Sequence, residues 1–185
     1  RVTPLPARAR RIAGGDTITI GSFDWRVLIG RGHAPEHVSL YCAETDTLIA
    51  GDQVLPKISP NVSVHPARPD ENPLADFLDT IDRFRAALPD SATVLPSHKL
   101  PFLGLHRRLD ELAHHHDDRL AQAWDTCAAP RTVMEVTNAL FRPGLDSLQT
   151  SLAVSEAFAH LNLLVSRGEV EHDLRKDGVL EFQRT

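Results

Sequence analysis

The chain has 185 residues, 42% of them hydrophobic and 24% charged, which is ordinary for a folded protein of one medium domain or two small ones. No apolar run reaches the roughly 20 residues that cross a bilayer, and two distant cysteines without a signal-peptide pattern indicate a cytoplasmic protein. The net charge of -5 argues against a protein held to nucleic acid mainly through phosphate contacts.

The first half of the chain is rich in strand signals. After a lead-in with prolines and arginines (1–11), apolar runs and alternating patterns predict four strands, over 16–21, 25–30, 37–43 and 45–52. Asp46 lies between the last two and suits a tight turn. Residues 53–72 contain four prolines and no periodicity, so they predict a long loop.

Two long helices frame one more strand in the middle of the chain. Asn72 and Pro73 are a predicted helix start, because asparagine caps the free N–H groups and proline suits the first turn. Apolar residues at helical spacing follow to Leu88, and TVLP (93–96) predicts a short strand. The second helix is predicted from Leu105 to about Asp125.

The last third has a different pattern. TVME (132–135) is a capping box that begins one helix, a second helix is predicted from Ser151 to Arg167, and Asp177-Gly178 predicts a β-hairpin. Helices followed by a two-stranded wing predict a winged-helix domain. We therefore expect three parts, which are a first domain over 1–103, a connecting helix over 104–129 and the winged-helix domain over 130–185.

Three side chains that bind metals well lie where a predicted strand gives way to a loop. His33 follows WRVLIGRG, Asp52 follows TLIAG, and His98 follows TVLPS. Two imidazoles and a carboxylate suit a divalent cation such as zinc. Each residue alone is unremarkable, and the combination of the three stretches indicates a metal site.

The stretches GHAPEH, AGDQ and LPSHKLPF resemble the metallo-β-lactamase superfamily, specifically its C-terminal half followed by a winged-helix appendage. The resemblance implies an α/β fold, half of an αββα sandwich, and a hydrolase with two zinc ions per intact site, manganese or iron(II) being alternatives. It implies that His33 binds one metal, His98 the other, and Asp52 both, which makes Asp52 the catalytic residue as well. His37 matches no ligand position, and we expect it to pack behind the turn or orient it.

The chain departs from the family pattern in one respect. The His-x-His-x-Asp-His motif of the N-terminal half is absent, and the cluster HHHDDR (114–119) does not replace it. Helix positions two apart project about 200° from one another, so His114 and His116 cannot chelate one ion, and we expect a solvated helix face. The resemblance thus implies a partner that supplies the missing half of the same protein, or else a homodimer.

Three functions remain open at this point. The first is a metallo-hydrolase for a small ester, thioester or lactone, with no membrane partner. The second is a metal-dependent endoribonuclease of the same fold, against which the charge counts, since residues 130–185 hold six Lys/Arg and eight Asp/Glu, a net of -2. The third is a non-catalytic interaction module.

Overall fold

The computed structural model describes residues 8–185. The first seven residues of the predicted lead-in lie outside this range, and residues 8–13 have no regular secondary structure. Within the described residues, no helix is long and apolar enough to cross a membrane.

The first sheet has five strands in the order β1-β2-β3-β4-β5. They are β1 (Thr17–Ile20), β2 (Phe23–Gly30), β3 (His37–Cys42), β4 (Thr47–Gly51) and β5 (Thr93–Pro96). The first four pair antiparallel, and β5 lies parallel to β4. A parallel pair needs a crossover, and here the long loop and helix α1 (Pro73–Ala87) provide it. All five predicted strands are confirmed.

The two faces of this sheet have different surroundings. Leu48 and Val94 are fully buried on the face that packs against α1. The opposite face carries large apolar side chains that are 38–51% exposed, namely Ile20, Phe23, Val38 and Ile49. The register places all four on that face, because side chains alternate along a strand. One face is therefore a packed core, and the other is a hydrophobic surface.

Helix α1 begins as the sequence predicts. The Oδ1 atom of Asn72 accepts a hydrogen bond from the Ala75 N–H at 3.2 Å, and Pro73 occupies the first turn. The buried stripe of the helix consists of Leu74, Phe77, Thr80, Ile81 and Phe84. Burial of such a stripe, at about 1.5 to 3 kcal/mol for each large side chain, holds the helix on the sheet.

Helix α2 (Leu105–Thr126) corrects one expectation about the histidine cluster. His114 is exposed, but His116 is fully buried and packs edge-on against Phe77. The solvated helix face that we expected is therefore wrong for His116. The reason is helical spacing, because His116 lies four residues from both Leu112 and Leu120, on the apolar stripe of the helix.

The remaining residues form a second unit of helices and strands. Helices α3 (Val133–Leu140) and α4 (Ser147–Ser166) pack with a three-stranded antiparallel sheet of β6 (Arg131–Thr132), β7 (Val170–Leu174) and β8 (Leu180–Arg184), ordered β6-β8-β7. Strand β6 was not predicted, since two residues carry no periodicity. The predicted hairpin is confirmed, with Gly178 at a φ of 83° in its turn.

The helix starts of this unit depend on side-chain caps. Thr132 and Glu135 form the predicted capping box, in which the Thr132 N–H donates to Glu135 Oε2 at 2.8 Å. Helix α4 begins four residues earlier than predicted. Asp146 caps it by accepting from the Gln149 N–H at 2.8 Å, and the Asp146 N–H donates to Gln149 Oε1 at 3.2 Å.

The two units share one continuous hydrophobic core. Helix α4 packs against α1 and α2, and residues from both units join the same buried cluster. The long loop is also attached to the second unit, because the Val64 N–H donates to the Ser155 carbonyl at 3.2 Å. This attachment brings α4 close to the loops that follow β2 and β4.

Candidate metal centre

The loop after β2 positions His33. Gly32 precedes it with a φ of +97°, and a Cβ added there would lie 2.7 Å from the Pro73 carbonyl oxygen. Only glycine fits this close approach to helix α1 in a left-handed conformation. The tight turn holds His33 at the end of the sheet, beside the loop that follows β4.

Asp52 lies one residue beyond β4, and its backbone is held by His37. The Asp52 N–H donates to His37 Nε2 at 3.2 Å. The His37 ring also packs on Gly51, whose φ is +55°, and a Cβ at that position would lie 2.6 Å from the ring. His37 therefore orients the turn from behind, as the sequence predicts. This bond needs the Nε2 lone pair, which the neutral ring provides. Burial and the nearby His33 lower the pKa of His37 and so favour that neutral ring.

His98 enters from the loop after β5. Because β5 is parallel to β4, both strands end at the same edge of the sheet, and the Ser97 N–H donates to the Gly51 carbonyl at 3.0 Å. The Ser97 hydroxyl also donates a hydrogen bond to Asp52 Oδ1. This bond is the main reason that the pKa of Asp52 is lowered, with smaller contributions from His33 and His98. Asp52 is therefore a carboxylate at neutral pH.

The structure brings the three predicted residues together around Asp52. His33 Nε2 lies 3.6 Å from Asp52 Oδ2, and His98 Nε2 lies 3.3 Å from Asp52 Oδ1. The two imidazoles thus approach different oxygens of one carboxylate. His33 and Asp52 are partly buried, whereas His98 is mostly exposed.

The tautomer of His33 follows from its second contact. Its Nδ1 lies 2.9 Å from the Asn61 carbonyl oxygen, and because a carbonyl only accepts, Nδ1 carries the proton. In the neutral ring, Nε2 then presents a lone pair toward the Asp52 carboxylate, so two acceptors face each other. Two ligands about 2.0 to 2.2 Å from one tetrahedral ion lie about 3.3 to 3.6 Å apart, so both spacings at Asp52 fit a shared cation.

The donors do not complete a metal site by themselves. Among residues 8–185, no group of three or more histidine, cysteine, aspartate or glutamate side chains is placed to hold one metal ion. This agrees with the geometry at Asp52, where the two imidazoles lie beside different oxygens of the carboxylate. The chain offers two ligands for a cation on either side, with Asp52 common to both.

A cavity of about 590 Å³ opens beside His33. Its walls come from the loop 31–35, the loop 63–66, the start of α1, and Leu152 and Ser155 of helix α4. The second unit therefore forms part of the wall next to the candidate metal site. The lining mixes apolar side chains with two basic and two acidic ones, namely Arg31, Arg68, Glu71 and Asp76, and Arg68 pairs with Glu71 at 2.8 Å.

Sequence reasoning missed the residues that support the three donors. Ser97 holds Asp52 through its hydroxyl, and Asn61 holds His33 through its backbone carbonyl. Serine directly before a predicted ligand is a signal that could have been used. Asn61 gave no signal, because every residue has a carbonyl and the long loop has no periodicity.

Comparison with known families agrees with these observations. The family model of the metallo-beta-lactamase superfamily matches residues 4–98, and that of the metallo-beta-lactamase-like C-terminal domain matches residues 120–185. A search of curated proteins found no match.

Two solved structures are similar over nearly the whole chain. A beta-lactamase domain protein from Burkholderia ambifaria is 41% identical, with a TM-score of 0.94 over 98% of this chain and 54% of that chain. A metallo-beta-lactamase family protein from Thermus thermophilus is 30% identical, with a TM-score of 0.83 over 97% of this chain and 56% of that one. The chain thus spans little more than half the length of each.

Proposed function

The chain belongs to the metallo-β-lactamase superfamily, and on this premise we propose that it forms part of a dinuclear zinc hydrolase acting on a small ester, thioester or lactone. The observation that carries the proposal is the arrangement at Asp52, whose two oxygens face His33 and His98 separately. A carboxylate between two imidazoles suits two cations better than one. The lowered pKa of Asp52 supports it, since only the anion can be shared between two cations.

Each residue of the site has a distinct role in this proposal. His33 would hold one cation through Nε2, His98 would hold the other, and Asp52 would bind both and offset their charge. Ser97 fixes the carboxylate and the Asn61 carbonyl fixes the His33 ring. When bound, two such cations supply a nucleophilic water at neutral pH and stabilise developing negative charge on the substrate.

The cavity beside His33 supports a small-molecule substrate. A volume of about 590 Å³ lies within the range of about 300 to 1,000 Å³ that is usual for small-ligand sites. Its apolar wall suits an acyl group, and its polar wall, where Arg31 and Arg68 are balanced by Glu71 and Asp76, suits an uncharged polar end. The net charge of -5 counts against a long RNA substrate.

We propose that the remaining metal ligands come from a second half-domain that packs on the open face of the five-stranded sheet. Four large apolar side chains are exposed there, and such a patch is typical of a surface that another element covers. The similar solved chains are almost twice as long as this one, which leaves room for such a partner.

We also propose that residues 130–185 form a winged-helix domain whose role is to wall the substrate cavity. Its helices precede a hairpin in the order that this fold requires. Its net charge of -2, from six Lys/Arg and eight Asp/Glu, does not favour nucleic acid, and Leu152 and Ser155 of α4 line the cavity.

The test is hydrolysis by the complete gene product that carries this chain, purified with added zinc. We expect turnover of a panel of aryl esters, acyl thioesters and lactones, and a loss of at least about 100-fold in kcat/KM for His33→Ala and for His98→Ala. The exposed His114→Ala is the matched control and keeps wild-type activity. Cleavage of single-stranded RNA with no turnover of the panel would overturn the proposed substrate class, and activity that survives both variants would overturn the site.

A further inference from the structure

Helix α4 carries a buried acid that the proposed metal site does not use. Glu156 is only 7% exposed, and burial raises its pKa to about 7. A carboxyl group in such a place is costly compared with an apolar side chain. The hydrogen bonds of Glu156 indicate what this buried carboxyl group does in the fold.

Glu156 holds the long loop beside the candidate metal site. Its Oε2 atom accepts a hydrogen bond from Asn61 Nδ2 at 3.1 Å, across 95 residues of sequence. The neighbouring residue of the helix makes a second attachment, in which the Ser155 carbonyl accepts from the Val64 N–H at 3.2 Å. Residues 61–64 are thus fastened to α4 at both ends.

The fastened loop in turn holds His33. The Asn61 carbonyl accepts from His33 Nδ1 at 2.9 Å, which leaves the Nε2 lone pair directed at Asp52. A hydrogen bond to the far nitrogen of a metal-binding histidine fixes both its tautomer and its ring orientation. Asn61 is therefore held by Glu156 through its side-chain amide, and it holds His33 through its backbone carbonyl.

We propose that Glu156 is a positioning residue for His33, acting through Asn61, so that helix α4 of the second unit sets the orientation of a metal ligand in the first. The inference rests on the proposed function, since it takes His33 to be a metal ligand. It adds a second role for the C-terminal unit beyond walling the cavity.

If Glu156 only attached the loop to α4, its loss would have the same effect as the loss of another attachment. Helix α4 offers such an attachment as a matched control. Asn162 lies six residues further along the helix and also fastens the long loop, donating to the carbonyls of Pro69 at 2.7 Å and Glu71 at 2.9 Å. These bonds do not lead to His33. Loss of general attachment should make Asn162→Ala and Glu156→Ala behave alike, whereas positioning should separate them.

The experiment compares Glu156→Ala, Glu156→Gln and Asn162→Ala in the complete gene product. The first readout is nitrogen-15 NMR of the histidine rings without metal, which reports whether His33 keeps its proton on Nδ1. The second is zinc affinity, measured by competition with a chromophoric chelator. We expect Glu156→Ala to lose the single Nδ1–H tautomer and to bind zinc about tenfold more weakly.

Glutamine can still accept from the Asn61 amide, so Glu156→Gln should restore the tautomer and bind zinc within about threefold of wild type. Asn162→Ala should match wild type in both readouts. If Glu156→Ala does not fold, the half-buried Asn61→Ala removes the same bond from the surface side, and the same losses are expected.

The inference is overturned if Glu156→Ala keeps both the tautomer and the affinity, or if Asn162→Ala changes them equally. A wild-type zinc affinity that is insensitive to His33→Ala would instead overturn the proposed function. In that event the metal-free NMR signal alone decides the role of Glu156, because it requires no bound metal.

Discussion

At the level of single residues, the candidate site depends on glycines that let two segments of the chain approach each other closely. Gly51 combines a φ of +55° with the His37 ring packed on its face, and His37 in turn accepts from the Asp52 N–H. The sequence shows a glycine before an aspartate, which is common in turns. It does not show that a histidine 14 residues earlier lies against that glycine.

We predict that Gly51→Ala destabilises the protein by about 2 to 3 kcal/mol, because the new Cβ both strains a left-handed backbone and displaces the His37 ring. Gly21 is the matched control. Its φ is +64°, and a Cβ there meets nothing within 4 Å, so Gly21→Ala should cost only about 1 kcal/mol. Urea unfolding of both variants measures the difference, and equal losses would contradict the packing of His37 on Gly51.

The three candidate ligands could be proposed from sequence because each one lies within three residues of the end of a strand, in a stretch that resembles the family. Their supports could not be found in that way. Asn61 acts through a backbone carbonyl, and Glu156 reaches the site from a helix whose place in the fold is set by long-range packing. Local patterns predict elements, but they do not predict which distant elements touch.

At the scale of elements, helices α2 and α4 meet through a buried pair of histidines. His160 Nδ1 donates to the Glu156 carbonyl, so its Nε2 accepts from His116 Nδ1 at 3.2 Å. Burial lowers the pKa of His116 to about 3 and that of His160 to about 4. The pair is thus neutral in the folded state across the physiological range.

This pair makes the stability of the fold sensitive to acid. Below a pH of about 6.5 these two histidines bind protons in the unfolded chain but stay neutral in the folded chain. The free energy of unfolding therefore falls as the pH falls toward 4. Glu156 opposes this, because its raised pKa keeps a proton on the folded chain between about pH 4.5 and 7. The histidine contribution is isolated by comparison with the double variant His116→Leu/His160→Leu, which retains Glu156.

We expect the unfolding free energy of wild type to fall by about 3 kcal/mol relative to that double variant between pH 6.5 and 5.0. Urea unfolding at several pH values measures this difference. His114→Leu, on the exposed side of α2, serves as the control and should follow the wild-type profile. Parallel profiles for wild type and the double variant would contradict the buried neutral pair.

The same helices show how a helical pattern can be misread. The apolar stripe of α2 includes the position of His116, and that spacing was in the sequence. The histidine cluster predicts a solvated helix face, but the position of His116 on the apolar stripe decides its burial. The apolar pattern predicts a start of α4 four residues too late, because Leu148 in its first turn is 70% exposed and the buried stripe begins only at Ala153.

At the scale of the whole molecule, the five-stranded sheet packs against helices on one face and leaves an exposed apolar patch on the other. The helical face was predictable, since α1 and α2 both have clear apolar stripes. The other face has apolar residues as well, and this is why a strand such as β2 reads as an apolar run rather than as a strict alternation. Such a pattern predicts burial on both faces, which fits the proposed second half-domain.

We predict that Ile49→Glu destabilises the complete gene product by about 2 kcal/mol or more, because it would bury a charge in the proposed contact. Leu174→Glu is the control, since Leu174 is a strand residue that is 67% exposed on the second sheet, and it should change stability by less than about 0.5 kcal/mol. Thermal unfolding compares the two. Equal tolerance of both substitutions would contradict a covered face.

In the proposed site, His33 and His98 hold two cations on either side of Asp52. The most direct test of this arrangement is the zinc content of the complete gene product after exhaustive dialysis, measured by elemental mass spectrometry. We expect two zinc ions per chain, with the loss of at least one in each of His33→Ala, Asp52→Ala and His98→Ala and no change in His114→Ala. A wild-type content of one or fewer, or a content that none of the three variants alters, would contradict this arrangement.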